Sequence, residues 1–468
     1  MPDLDGLLTR YEDLARFLTR AVRQGRRIVA VTHIDADGLT SGSIIFSTLA
    51  REGANVVVRS IPDLDRKTIS ALAEEKHDFY IFTDLGATLV NELSAAFGSN
   101  FLAVDHHQLP EVDLRNPLVV NAWQYGYDGG RDASSSTMAY LLAVALDDRN
   151  RDLAPLAVIG AVADRQDTGL GRSLGGLNRR ALEDAQSAGL LTVSKDLLFY
   201  GRETRPVHEA IALTSSPYIQ GLTGSKDATL AALSNAGITL KENGRWRALS
   251  ELSGDEKKKV VEVLLGFLPQ TSSAENTIAE LIGEVYTLEL EDSFTPLRDA
   301  REFSTLLNAC GRMDEAGVGI SICIGDRRDS LREGMRILSD YRLKINRFVQ
   351  GVLQDSARIQ LSGGTALVIG DDLIEERLLG PVTSILASTQ RLKDKVVVAR
   401  TRSGDAELKF SCRVGDAHLG QVNLGIIMRE AAEVAGGVGG GHTMAAGAKI
   451  PYPKGEEFTR MVLEKAAS

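Results

Sequence analysis

The sequence predicts an α/β protein: a larger N-terminal domain built on a parallel sheet, a helical insertion, and a smaller C-terminal α/β domain. Three observations carry that expectation. Short apolar segments rich in β-branched and aromatic residues alternate with helical patterns over residues 1–195. The alternation then gives way, over residues 196–298, to what read as short helices with polar connections. Strand patterns return from about residue 357. Alternation of the first kind marks parallel strands covered by helices on both faces.

Taken in order, the N-terminal strand candidates are "RIVAVTH" (27–33), "NVVVRSI" (55–61), "FYIFTDL" (79–85) and "NFLAVDH" (100–106). "AVIGAVADRQD" (157–167) has helical spacing and many small residues, so it reads as a packed helix. The insertion holds "GRETRPVHEAIALTSSPYIQGL", "SGDEKKKVVEVLLGFL" and "ENTIAELIGEVYTL", each read as helical. Residues 299–356 read as a helical connector of two stretches. Leu331, Met335, Leu338, Leu343, Ile345, Phe348 and Val352 follow helix periodicity in the second stretch. The C-terminal domain, residues 357–468, begins with the strand patterns "TALVIG", "KVVVART" and "ELKFSCRV". It continues through a helix at 421–435 into "GGVGGGHTMAAGAKI".

Composition narrows the function classes. The chain has 468 residues, 43% hydrophobic and 25% charged, which suits an ordinary globular protein of about two or three domains. No apolar run is long enough to span a bilayer, and the acidic, helical start "MPDLDGLLTRYEDL" is not a secretory signal. The three cysteines, Cys310, Cys323 and Cys412, fit neither a disulfide framework nor a zinc spacing. They read as buried thiols of a cytoplasmic protein with no membrane partner. A net charge of −10 argues against coating nucleic acid by bulk charge. It leaves open a protein that binds phosphates locally through metal ions and a few arginines.

The chemistry is concentrated where the strands end. Asp35 and Asp37 follow the first strand, Asp84 the third and Asp105 the fourth, while Asp164 sits in the helical "GAVAD". Parallel strands end on a common rim, where ligands of open α/β sheets bind. Two unit charges at 4 Å repel by about 4 kcal/mol at an effective dielectric of 20. Several carboxylates in one cleft therefore call for hard divalent cations. With imidazoles in the set, Mn²⁺ fits well and Mg²⁺ less well. Pairs of such ions, about 3.5–4 Å apart, activate water against phosphate esters. Any one of these aspartates is equally explained as a helix cap or loop residue. The joint pattern HxDxDG, TD, DHH and AD is not.

That pattern resembles the DHH phosphoesterase superfamily: "DADG" (35–38), "DHH" (105–107) and "GAVAD" (160–164) stand in its order. "GGGHTMAAG" (439–447) resembles the glycine-rich motif of its DHH-associated C-terminal domain. "LLNACGR" (306–312) is similar to the archaeal RecJ-like nucleases, including the GINS-associated nuclease, and "NR" (346–347) closes a helix like RecJ's linker. The resemblance implies that Asp35, Asp37, Asp84, His106 and Asp164 hold two metal ions, with Asp84 bridging. His107 would contact the scissile phosphate, and Asp105 would orient the histidines. His33 lies two residues before Asp35, where many members carry a histidine four before. It reads as a ligand or as a donor to one.

In the C-terminal domain, residues 436–448 hold six glycines in thirteen. Their backbone N–H groups, with Gly440, Gly441 and His442, read as a phosphate cradle or as a tight turn before a strand. Arg413, in "FSCRVGD", stands where the family places a phosphate-binding arginine. "RDASSSTMAYLL" (131–142) offers a helix N-terminus to an anion, or a plain N-cap. With only 5% aromatic residues, backbone rather than base recognition is expected.

The function implied is a two-metal exonuclease of RecJ type. It would use Mn²⁺, with Mg²⁺ as the alternative, on single-stranded DNA or RNA in archaeal replication or repair. Two other readings stand beside it. One is a phosphodiesterase for nanoRNA or cyclic dinucleotides. The other is a replisome scaffold that binds GINS with little catalysis, residues 196–298 being the docking surface.

Overall fold

The structure, a computed structural model, describes residues 2–109, 117–214, 219–268, 278–415, 422–441 and 443–467. These form two compact units, divided between Leu338 and Ser339.

The N-terminal unit is organised by a five-stranded sheet of β1 (Arg27–His33), β2 (Asn55–Ile61), β3 (Phe79–Thr83), β4 (Phe101–Asp105) and β5 (Val119–Asn121). The order is β2-β1-β3-β4-β5 and every pairing is parallel, so all carboxyl ends share one rim. The central strands β3 and β4 are buried at every position, which is why they read as continuous apolar runs. β2 lies at the sheet edge and alternates between half-buried and exposed residues. β5 is three residues long, too short for a pattern to show in the sequence.

The chain moves from β1 one way to β2, then back past β1 to β3. Right-handed crossovers in opposite directions put their helices on opposite faces. α1 (Leu4–Arg23), α2 (Ala36–Arg51), α3 (Arg66–Glu74) and α4 (Val90–Phe97) are followed by α5 (Ser135–Leu146), α6 (Ala154–Ala163) and α7 (Gly176–Ser187). α3 and α4 cover one face, with Ile69, Leu72, Leu93 and Phe97 against Val29, Val31, Phe82 and Phe101. α2, α5 and α6 pack on one another, and α1 packs on α5. The reversal between β1 and β3 leaves a crevice at the carboxyl rim, the usual ligand position in such sheets.

The insertion is bracketed by an antiparallel ribbon of β6 (Leu191–Leu197) and β9 (Ile282–Leu288). Between them lie α8 (Val207–Leu213), α9 (Lys226–Asn235), the small hairpin β7 (Lys241–Glu242) and β8 (Arg245–Trp246), and α10 (Gly254–Phe267). Phe199, Ile211, Leu233, Val260 and Leu264 lie in a core of its own. The expected helix in "ENTIAELIGEVYTL" is corrected here: "IGEVYTL" is strand β9. Its burial largely alternates, and pairing with β6 satisfies its backbone. The chain then forms α11 (Ala300–Arg312), α12 (Ala316–Cys323) and α13 (Asp329–Gln354), three helices where two stretches were expected. α11 packs on α2, α6 and β9. Along α13, Leu338, Ile345, Phe348 and Val352 are buried as the periodicity expects, but Met335 and Leu343 are exposed.

The C-terminal unit is a six-stranded sheet in the order β10-β11-β12-β13-β15-β14. Its strands are β10 (Ile359–Ser362), β11 (Thr365–Ile369), β12 (Val396–Ser403), β13 (Glu407–Val414), β14 (Val438–Gly441) and β15 (Ala445–Pro451). Only β11 and β12 pair in parallel. Alternation along β12 sends Val397 and Ala399 to a core with Val382 and Leu386 of α14 (Leu379–Ala387). Val396 and Val398 face a second core with Met428 of α15 (Leu424–Ala435) and Phe458 of α16 (Gly455–Ala467). All three cysteines are buried. Among the described residues, no helix is long and apolar enough to cross a membrane.

One buried carboxyl ties the insertion to α11. Glu302 accepts a hydrogen bond from the Glu203 N–H at 2.7 Å and another from the Thr204 hydroxyl. Burial pushes its pKa up to about 7, and the nearby carboxylates of Asp299 and Glu203 add to the rise. A carboxyl raised in the folded state favours folding most below its unfolded pKa, and that contribution is lost as pH rises through the folded value. Glu302→Gln removes the titration, and the Thr204 hydroxyl can turn to accept from the new amide. The variant is expected to gain on the wild type by about 1–3 kcal/mol between pH 4.5 and 8. Urea unfolding across that range checks it, and a pH-independent difference would contradict it.

Candidate metal centre

The rim residues converge because local structure presents each of them there. His33 ends β1. Asp35 is the N-cap of α2, its carboxylate accepting from the Gly38 N–H at 3.0 Å. Asp37 sits in the first turn of that helix. The next turn can lie this close to β1 only because residue 38 is glycine: a Cβ there would stand 2.4 Å from the His33 carbonyl oxygen. Asp84 follows β3 with φ 63°, a left-handed conformation that ends the strand. His106 follows β4, and Asp164 is the C-cap of α6.

Besides an overlapping set of Asp84, Asp105, His106 and His107, these six residues form two groups that could each hold a cation: His33, Asp35 and Asp84, and Asp37, His106 and Asp164. Within each group the ligand atoms lie within 4.8 Å of one another. Asp84 faces both. Its Oδ2 lies 3.5 Å from His33 Nδ1, and its Oδ1 lies 3.3 Å from His106 Nε2. His33 Nδ1 is also 2.8 Å from Asp35 Oδ2. His106 Nε2 is 3.3 Å from Asp164 Oδ2 and 4.0 Å from Asp37 Oδ2.

The electrostatics record the crowding. Burial pushes Asp37 up to about 6, with Asp84 adding to the rise. Asp164 is raised well above the usual carboxylate range by burial and by Asp37. Burial alone would lower both His33 and His106, but carboxylates hold them well above the ordinary imidazole value. Asp35 and Asp84 do so for His33; Asp84, Asp164 and Asp37 do so for His106. Asp35 is held low: burial opposes this, but His33 and the Gly38 N–H outweigh it. Protonated imidazoles among aspartates occupy the place of positive charge that divalent cations would supply.

Other residues aim this set. The Ser135 N–H donates to Asp37 Oδ2 at 2.8 Å and the Ser136 N–H to Oδ1 at 3.0 Å, while the Ser135 hydroxyl donates to Asp84 at 3.1 Å. The anion served by the helix N-terminus in "RDASSSTMAYLL" is thus a carboxylate of the chain itself, and Ser134 is the N-cap. His106 Nδ1 donates to the Gly129 carbonyl at 2.6 Å, which turns Nε2 toward the aspartates. The Gln166 amide donates to the same carbonyl at 2.9 Å. Asp105 Oδ1 accepts from the His106 N–H (2.7 Å) and from His107 Nδ1 (2.8 Å), and Oδ2 accepts from the Ala87 N–H (3.1 Å). His107 stands at the margin, its side chain 39% exposed against 1% for His106. Sequence reasoning missed Ser135, Ser136, Gly129 and Gln166 as supports of the site. Only the serine run gave a signal, and it pointed to an outside anion.

The resemblance to known proteins agrees with this geometry. The model of the DHH family, N-terminal domain, matches residues 27–162; that of the DHH-CID domain matches 199–282, and that of the DHHA1 domain 366–468. The chain thus carries a DHH domain, a DHH-CID domain and a DHHA1 domain in that order. An uncharacterized protein of Methanocaldococcus jannaschii is 29% identical over 447 residues, 93% of this chain and 92% of that one. The single-stranded-DNA-specific exonuclease RecJ of Thermus thermophilus is 32% identical over 165 residues, 32% of this chain but only 24% of RecJ. The crystal structure of that RecJ with Mn²⁺ shares the fold at a TM-score of 0.60 and 19% identity, covering 98% of this chain and 55% of the other. CDC45 from Entamoeba histolytica shares it at 0.65 and 12% identity, with 98% and 99% covered.

In the DHHA1 domain, Arg413 donates to Ser384 Oγ at 2.8 Å, to Ser411 Oγ at 3.2 Å and to the Cys412 carbonyl at 2.8 Å. The glycine run is not a loop where it is described. Gly440 and Gly441 belong to β14, the edge strand paired with β15; α15 crowds Gly439, where a Cβ would lie 2.6 Å from the Met428 carbonyl oxygen, while a Cβ on Gly440 would meet open space. His442 lies outside the described residues.

Gly160 gives a test of the packing around Asp37. A Cβ there would fall 2.1 Å from Ser136 Oγ and 2.3 Å from Asp37 Oδ1. Gly160→Ala is expected to destabilise the protein by about 1–3 kcal/mol and to weaken Mn²⁺ binding by Asp37, His106 and Asp164. Denaturant unfolding and Mn²⁺ titration check both effects. An unchanged Mn²⁺ isotherm would show that the carboxylate does not need this fit.

Proposed function

We propose that this protein is a two-metal-ion phosphodiesterase that trims single-stranded DNA or RNA from an end. The observation that carries the reading is Asp84, which presents one carboxylate oxygen to each of two ligand groups. Bridging of that kind suits two hard cations better than any pairing among the side chains themselves. The match to the DHH domain supports phosphoester chemistry, and the match to RecJ supports a single-stranded nucleic acid as substrate.

Asp35, Asp37, Asp84, His106, Asp164 and His33 are the proposed ligands. The donor set fits Mn²⁺, with Mg²⁺ as the alternative. Ions held there would supply a water of lowered pKa and neutralise charge developing on the phosphate. The chain's own residues do the rest. Asp105 accepts the Nδ1–H of His107, so Nε2 is the atom with which His107 would donate to the scissile phosphate. The Gly129 carbonyl fixes His106 in the tautomer that ligates through Nε2. Arg413, Gly440, Gly441 and His442 of the DHHA1 domain are proposed to bind substrate phosphates, the guanidinium being suited to bidentate contact.

The test uses end-labelled DNA and RNA oligonucleotides with Mn²⁺, Mg²⁺ or EDTA. Asp84→Asn is expected to lower kcat by about a thousandfold or more, and EDTA to abolish turnover. Activity that survives either change would overturn the reading. Arg413→Ala is expected to raise KM about tenfold with a smaller change in kcat. If kcat alone fell, Arg413 would not be a substrate-binding residue.

A further inference from the structure

We propose that Asn308 is a positioning residue for the ion assigned to His33, Asp35 and Asp84, and not for the ion assigned to Asp37, His106 and Asp164. The proposal rests on the two-ion reading above.

The support is where α11 touches the first ligand loop. Asn308 Oδ1 accepts a hydrogen bond from the Ala36 N–H at 3.1 Å, across 272 residues of sequence. Ala36 is the first residue of α2, so its N–H has no partner within the helix. The Asp35 carboxylate caps the helix at Gly38 instead, and Ala36 itself is fully buried. One turn further along α11, Gly311 lies against Ile34, where a Cβ would fall 1.6 Å from the Ile34 carbonyl oxygen. α11 therefore grips the backbone on both sides of Asp35, at residues 34 and 36.

Asp37 has a different anchor. The N–H groups of Ser135 and Ser136 on α5 hold its carboxylate. The two ligand groups thus have separate supports, joined through Asp84. Truncating Asn308 leaves a buried N–H unpaired and frees the loop that aims Asp35, while the Asp37 anchor is untouched. Partners that hold a ligand in place typically account for a 10- to 100-fold change in metal affinity. The effect expected of Asn308 falls on one ion.

Mn²⁺ binding, followed by electron paramagnetic resonance on the full chain, reads this directly. Wild type is expected to bind two ions, and fewer than two would sink the two-ion reading itself. Asp164→Ala and Asp35→Ala each isolate one site. Adding Asn308→Ala to Asp164→Ala is expected to weaken the remaining ion about tenfold. Adding it to Asp35→Ala is expected to change the remaining ion less than about twofold. Asn308→Asp keeps the acceptor for the Ala36 N–H, so it should restore binding to within about threefold of wild type. Should the alanine variants fail to fold, Asn308→Ser and Asn308→Asp carry the same comparison. Equal losses in both backgrounds, no loss in either, or a weakened Asn308→Asp would overturn the assignment.

Discussion

The organising constraint of the N-terminal unit is like-charge repulsion at one sheet rim. Asp35, Asp37, Asp84, Asp105 and Asp164 all gather where β1, β3 and β4 end, and all five belong to groups that could hold a cation. At separations under 5 Å each like pair costs about 3 kcal/mol at an effective dielectric of 20. The fold does not spread this charge out. It meets most of these carboxylates with donors of their own, while Asp164 shares His106 with Asp84. Asp37 takes two N–H groups from the start of α5, and Asp35 takes one from its own helix. Asp105 takes three backbone N–H groups and an imidazole. What remains uncompensated shows in the raised values of Asp37, Asp164, His33 and His106.

The sheet topology makes this arrangement reachable. Because the strand order reverses between β1 and β3, α2 leaves the rim on one face and α4 on the other. The crevice between them receives Asp35 and Asp37 from one side and Asp84 from the other. Asp84 reaches into it through a left-handed backbone, which side chains other than glycine adopt at a cost of about 1 kcal/mol or more. The residue that faces both ligand groups is thus also the one whose backbone is strained.

Much of this was readable from sequence, and the physical reason is specific. Buried parallel strands are apolar throughout, so β1, β3 and β4 stood out, and the aspartates that break them marked the rim. The features missed are tertiary. β5 has three residues and is defined only by its neighbour β4. β9 carries alternation that a helical reading could absorb, and only pairing with β6 decides it. The glycine run reads as a loop until the pairing of β14 with β15 is seen. Ser135 and Ser136 invited an external anion because nothing local says that Asp37, almost a hundred residues earlier, arrives there. Asn308 lay inside a recognisable motif, yet its partner is a single N–H at the far end of the unit's sequence.

The insertion gains a physical context from the same contacts. It interrupts the chain between α7 and α11, yet the chain returns from it into the helix that grips the first ligand loop. The start of α11 is held by the insertion, through Glu302 and the loop at Glu203 and Thr204. At the same end, Arg301 donates to Asp167 at 2.6 Å, three residues after Asp164. Its second half holds Ala36 and Ile34. One helix of 13 residues thus contacts the insertion, the loop that carries Asp35 and the segment that follows Asp164. A rigid element with those contacts cannot shift at one end without moving the other. The seat of α11 on the insertion therefore bears on the backbone around Asp35, as the sheet does.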